Sequence, residues 1–135
     1  MNPNNDTSSS LEHLNLTVSN PDHAAKLLCE LFGWQIRWSG AAMDNGRTVH
    51  VGKPGNGGSY LALYTHTDVV NSPARGANQV ANLNHIGILS ANLDDVEKRL
   101  KERGISSFNY GNYDPGKRFY FYMDDQIEVE VISYD

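Results

Sequence analysis

One cysteine is all that this chain of 135 residues contains, and a lone Cys29 excludes an internal disulfide framework. It falls inside a helical pattern, where it reads as core packing rather than as a nucleophile. There is no basic run, and the formal net charge is −5. Nucleic-acid binding needs a cationic face against the phosphates, so neither DNA nor RNA is an expected partner. No stretch of about 18 apolar residues occurs, which predicts that no helix crosses a membrane. The opening MNPNNDTSSS lacks the apolar region of a secretory signal, so a cytoplasmic location is expected. The same ten residues cannot offset the entropy of ordering themselves, and 1–10 read as a disordered tail.

What the chain does have is an internal echo. LEHLNLTVS (11–19) returns as LNHIGILSA (83–91), each with histidine as its third residue. A shift of 72 residues superposes Leu11 on Leu83, His13 on His85, Leu16 on Ile88, Asn20 on Asn92, Asp22 on Asp94, Leu28 on Leu100 and Glu30 on Glu102. Strand and helix registers are kept together, as expected of a structural repeat. In the first copy Leu14, Leu16 and Val18 alternate with His13, Asn15 and Thr17, the period of a strand. SNPD offers a cap and a first-turn proline to the helix AAKLLCELF, which Gly33 stops. WQIRW, RTVHV and SYLALY follow as three strand-like pieces between Gly-rich turns. In the second copy a helix near 93–103, closed by Gly104, leads to SSFNY, RFYFYM and IEVEVIS. The expected fold is therefore α+β: two βαβββ modules, 11–64 and 83–135, joined by a linker at 65–82, with curved mixed sheets around a central cleft and helices outside. A chain this short holds one structural domain, so the modules share a core.

Candidate chemistry gathers on the repeated strands. Two equivalent strands would each bring a histidine to one cleft. The last strand, IEVEVIS, places Glu128 and Glu130 on one face and Ile127, Val129 and Val131 on the other. Carboxylates in mid-strand are costly to bury unless paired or bound to a cation. Two imidazoles and one carboxylate form a facial triad that leaves metal positions open, suited to Fe, Mn, Ni or Zn rather than to Ca or Mg. His50 on RTVHV and Tyr120 or Tyr122 on RFYFYM are the groups best able to serve as acid, base or hydrogen-bond partner. Phe32, Trp34 and Trp38 read as core or cleft wall. His23 and His66 are assigned no role. GKPGNGG (52–58) has no following helix and no Lys-Ser/Thr ending, so it reads as a flexible hairpin and mobile lip rather than as a phosphate loop.

HLNLTVSNPDHAA, LNHIGILSANLDDVEKRLKERG and FYFYMDDQIEVEVISY together resemble the vicinal-oxygen-chelate superfamily, which includes glyoxalase I, extradiol dioxygenases, fosfomycin-resistance thiol transferases and bleomycin-binding proteins. The likeness covers about 11–134. It implies His13, His85 and Glu130 as ligands of a divalent metal, with Glu128 as the alternative to Glu130, and a small-molecule substrate held through neighbouring oxygens. It also implies a cup of eight strands closed within one chain or across a homodimer. Glyoxalase I takes a fourth ligand, a glutamate, from the last strand of the first module. Here that strand is YLALY, with Ala62 or a neighbour at the position, and no Asp or Glu occurs between Asp44 and Asp68. A three-ligand site is more similar to the dioxygenases and thiol transferases, and an isomerase would draw its base from Glu128, His50 or a tyrosine. Thiol transfer to an epoxide antibiotic would call for a cationic pocket to hold a phosphonate, for which Arg47, Lys117 and Arg118 are the candidates. The alternative class is a metal-free protein that binds a drug or antibiotic, as the bleomycin-binding relatives do.

Overall fold

The computed structural model describes residues 8–55, 57–71 and 77–135; the expected tail lies outside them up to residue 7, as does part of the expected linker. The elements run β1 (His13–Thr17), α1 (Pro21–Phe32), β2 (Gln35–Ala42), β3 (Gly46–Gly52), β4 (Tyr60–Thr65), β5 (Ile86–Leu89), α2 (Leu93–Glu102), β6 (Phe108–Tyr113), β7 (Gly116–Met123) and β8 (Ile127–Ser133), with a short 3-10 turn at Asp124–Gln126. This is βαβββ written twice. Each module makes a four-stranded sheet, ordered β1-β4-β3-β2 in the first and β5-β8-β7-β6 in the second. Among the described residues, no helix is long and apolar enough to cross a membrane.

The repeat is visible in the caps. Asn20 Oδ1 accepts from the His23 amide at 3.1 Å, and Asn92 Oδ1 accepts from the Asp95 amide at 3.1 Å. Each cap satisfies one of the amides that the first helical turn leaves without an intrahelical partner. Pro21 opens α1, where its missing N–H costs nothing. Gly33, at φ 70°, takes the left-handed turn that stops α1.

α1 packs on β3 and β4 of the first sheet and touches α2, which packs on β8 of the second. On the first sheet Val49, Val51, Leu61 and Leu63 face α1; on the second, Phe119, Phe121, Val129 and Val131 are fully buried, and all belong to one apolar cluster with Leu28, Leu31 and Leu100. Burial of each such side chain contributes about 1.5–3 kcal/mol. Phe32 at the end of α1 reaches Phe121 of β7, with ring centroids 6.2 Å apart. Polar contacts reinforce this junction: Arg99 Nη1 donates to the Leu31 carbonyl at 2.9 Å, and Arg103 Nε to Glu30 at 2.9 Å. His23 Nδ1 meets Asp124 Oδ2 at 2.6 Å, and the Ser19 amide donates to Asp125 Oδ2 at 2.9 Å. With its helix-facing side in the shared core, each sheet keeps its other side for something else.

Candidate metal site and open sheet faces

Strand alternation decides what the open faces carry. On the first sheet the register pairs His13 with Tyr60, Asn15 with Ala62, His50 with Ala62 and Trp38 with His50. On the second it pairs Gly87 with Glu130, Tyr120 with Glu130, Tyr122 with Glu128 and Phe108 with Tyr120. The two faces are therefore equivalent position by position: Ala62 stands where the second module has Glu130, Tyr60 where it has Glu128, and His50 where it has Tyr120. Only the second module places carboxylates on its last strand.

Four rings form a row across the first face. His13 stacks on Tyr60 at 5.3 Å between centroids, Tyr60 lies 4.7 Å from His50, and His50 lies 5.0 Å from Trp38. Trp38 is half exposed at 50%. Burial, and then the neighbouring His13, pull the His50 imidazole below its ordinary pKa, so His50 is a neutral base near pH 7. Glu12 sits at the end of the row, where its Oε1 meets His13 Nδ1 at 2.5 Å and accepts from the Tyr60 hydroxyl at 3.2 Å. The His13 bond, first among the causes, holds the Glu12 carboxyl below its usual range.

Glu130 organises the second face. It is buried, and its Oε2 accepts from the Tyr120 hydroxyl at 2.8 Å and from Arg118 Nη1 at 3.2 Å. Arg118 is buried beside it, donates to the Gly116 carbonyl at 3.2 Å, and lies 4.5 Å from the centre of the Tyr113 ring. Desolvation, followed by the Glu130 bond, pushes the Tyr120 phenol up. Glu130 Oε1 is 3.6 Å from His85 Nε2. That is too long for a hydrogen bond and close to the span of two ligands each about 2.1 Å from a common metal. His85 directly precedes β5, and its Nδ1 meets Asn84 Oδ1 at 2.8 Å. Glu128 shares the face opposite Tyr122 and, among the described residues, its carboxylate makes no hydrogen bond or ion pair.

The structure thus brings His85, Glu130 and Tyr120 together on one sheet, with Tyr122 and Glu128 on the same face, and His13 and His50 on the other sheet. His13 and His85 border the same cavity of about 640 Å³ between β1 and β5, lined also by Phe32, Trp34, Tyr60 and Lys53. Among the described residues, no three His, Cys, Asp or Glu side chains of one chain converge on a single ion position. Two of the three cationic candidates are engaged: Arg47 pairs with Asp22 through two bonds of 2.8 Å, and Arg118 is held by Glu130, while Lys117 borders a surface cavity together with Arg118. The loop after β3 is more constrained than its glycines suggest, since Arg37 donates to the carbonyls of Lys53 at 2.8 Å, Gly57 at 2.7 Å and Gly58 at 3.1 Å.

The profile described as Glyoxalase/Bleomycin resistance protein/Dioxygenase superfamily matches residues 10–131. The chain belongs to this superfamily. A glyoxylase/bleomycin resistance protein/dioxygenase domain from Frankia sp. EAN1pec is 21% identical with TM-score 0.75, over 93% of this chain and 97% of that one. The trypanothione-dependent glyoxalase I of Leishmania major is 16% identical with TM-score 0.71, over 94% and 88%. TnmS3, an antibiotic-binding protein from Streptomyces sp. CB03234, is 16% identical with TM-score 0.68, over 95% and 98%. A search of curated protein sequences found no match. At these identities the likeness carries the two-module fold, which hosts both an enzyme and a ligand-binding protein.

Sequence reasoning passed over Glu12, Asn84 and Tyr60. The signal for the first two was present, because each immediately precedes its histidine at the 72-residue spacing.

Proposed function

We propose that this superfamily member is a divalent-metal enzyme that takes a small substrate through two neighbouring oxygens, with His13, His85 and Glu130 as the protein ligands. The observation that carries this reading is the 3.6 Å gap between His85 Nε2 and Glu130 Oε1, left while Tyr120 and Arg118 hold the other carboxylate oxygen. The donor set, two imidazoles and one carboxylate, fits Fe, Mn, Ni or Zn. Lewis-acid polarisation of the substrate oxygens is the chemistry such an ion supplies when bound. His13 completes the set across a homodimer: the open face of the first sheet in one copy covers the open face of the second sheet in the other, so that His13 joins the partner subunit's His85 and the partner subunit's Glu130.

The chain's own groups then divide the proton work. Glu128, with no partner among the described residues, and His50, held neutral by burial, can accept a proton from a carbon or hydroxyl of the substrate. Tyr120, kept protonated, fixes the Glu130 carboxylate through its donated hydrogen bond. Ala62 at the position matching Glu130 supplies no fourth carboxylate, which leaves more of the coordination sphere for substrate oxygens.

The competing reading is a metal-free small-molecule binder, and one contact favours it: Arg118 already balances the charge of Glu130. Elemental analysis of protein purified without chelator or affinity metal decides between them. Near-stoichiometric Fe, Mn, Ni or Zn that disappears in His13→Ala/His85→Ala supports the enzyme. Protein that neither carries nor takes up such an ion sinks it.

A further inference from the structure

Glu12 and Asn84 occupy equivalent places, one residue before each proposed ligand, and each presents a side-chain oxygen to the Nδ1 of the histidine that follows it. The distances are 2.5 Å for Glu12 to His13 and 2.8 Å for Asn84 to His85. Neither a carboxylate nor an amide oxygen can donate, so Nδ1 carries the proton in both rings and the lone pair is left on Nε2. There the likeness ends, because one acceptor carries a charge and the other does not. A carboxylate or a neutral amide oxygen behind an imidazole fixes the tautomer, and the charged carboxylate raises the basicity of the opposite nitrogen more than the amide does. The carboxylate is itself held, since the Tyr60 hydroxyl donates to the same Oε1 at 3.2 Å. Tyr60 also stacks on the His13 ring, 5.3 Å between centroids at 21°, so His13 is fixed by its edge and by its face. The His85 ring meets Tyr120 only edge-on, 5.7 Å away at 86°.

We propose that Glu12 is a positioning residue that makes His13 the stronger of the two imidazole ligands, leaving His85 the weaker, so that the first module anchors the ion. This rests on the metal-binding reading above. Glu12 acts through His13: it holds the Nδ1 proton and lends negative charge to Nε2.

The test uses Zn²⁺ or Ni²⁺ alone, titrated into metal-free, full-length protein against a chromophoric chelator. Long-range ¹⁵N–¹H spectra of the metal-free histidines report the tautomers. Glu12→Ala is expected to weaken metal binding by about 10- to 100-fold and to release His13 into a mixture of tautomers. Glu12→Gln, which keeps an acceptor and loses the charge, retains the Nδ1–H form and falls between Glu12→Ala and wild type. Asn84→Asp, which installs at His85 what Glu12 provides at His13, binds more tightly than wild type. His13→Ala loses more affinity than His85→Ala. A fold role alone would move neither the tautomer nor the Asn84→Asp gain. The proposal is overturned if wild type binds the ion while Glu12→Ala and Glu12→Gln stay within about twofold of it, or if the His13 tautomer is unchanged in Glu12→Ala. Wild type that binds neither ion overturns the metal reading itself, and this inference with it.

Discussion

Replacing Arg118 by Met asks how much the second sheet depends on one ion pair. Arg118 and Glu130 have side chains only 11% exposed, and Nη1 lies 3.2 Å from Oε2. Removing one member of such a pair strands the other charge in a poorly solvated place, which typically costs about 3–5 kcal/mol. Two features set the cost at the lower end. The bond is longer than the roughly 2.7–2.9 Å of an optimal charge-assisted contact, and Tyr120 still donates to Glu130 at 2.8 Å. A loss of about 3 kcal/mol is therefore expected from urea unfolding of the metal-free protein, a large part of the roughly 5–15 kcal/mol that a domain has. Arg118→Met/Glu130→Leu removes the stranded charge and should recover part of the loss, giving a coupling of about 2 kcal/mol in the double-mutant cycle. An ion bound at Glu130 would replace the missing cation, so Zn²⁺ at about 100 times its dissociation constant should restore about 2.7 kcal/mol to Arg118→Met. If Arg118→Met costs less than about 1 kcal/mol, in the range of an exposed pair, then Glu130 is solvated in the folded protein and the reasoning about its burial fails.

Three further outcomes follow from particular contacts. If the site is shared between copies, mixing equal amounts of His13→Ala and His85→Ala/Glu130→Ala chains after unfolding and refolding should return about a quarter of the wild-type metal content, because about half of the dimers are mixed and each of those keeps one intact site of two; a site closed within one chain returns none. Burial first, and then the bond to Glu97, push the Tyr110 phenol up to about 12. The unfolded chain loses this proton near pH 10 and the folded one later, so the contribution of Tyr110 to stability is complete below about pH 10 and declines as the pH rises towards 12; an alkaline absorbance titration should show a late tyrosine component that is missing in Tyr110→Phe and moves back towards the ordinary range in Glu97→Gln. A Cβ on Gly116 would lie 2.1 Å from the Ser133 carbonyl, whereas one on Gly87 would meet nothing closer than Glu130 Oε1 at 3.7 Å; Gly116→Ala should cost about 2 kcal/mol in thermal or urea unfolding and Gly87→Ala much less.

How far the chain could be read before its structure depended on whether an element announces itself locally. His13 and His85 were found by the repeat because the strand alternation, the Asn caps and the helix stripes all keep the same 72-residue spacing. Deeper into each module the spacing slips: His50 and Tyr120 are equivalent although 70 apart, and Ala62 and Glu130 although 68 apart. The connection from β3 to β4, residues 53–59, is longer than the three-residue turn Asp124–Gln126 between β7 and β8. A shift of two residues preserves which face a strand residue occupies, so the sequence could place Glu128 and Glu130 on one face, yet only the paired register shows which of them stands beside His85. The partners that shape the site were less visible still. Arg118 looked like an anion receptor and is held by Glu130; Tyr60 looked like one residue of an apolar strand and instead ties Glu12 to His13. The Arg118 contact crosses one hairpin and the Tyr60 contact joins segments 48 residues apart, and in neither case does side-chain identity alone encode which partner is taken.

The second copy proposed above to complete the site is a question of what covers each sheet. Binary patterning shows that each strand has an apolar side and a polar side, but not what covers either. Here the apolar sides of both sheets close on α1 and α2 in a single core, so the polar sides, with His13, His50 and Trp38 on one and His85, Glu130 and Tyr120 on the other, are directed away from that core. A sheet face bearing half-exposed rings is costly as a final surface. In the proposed dimer, bringing the two faces together across a twofold axis would cover the rings and complete the donor set.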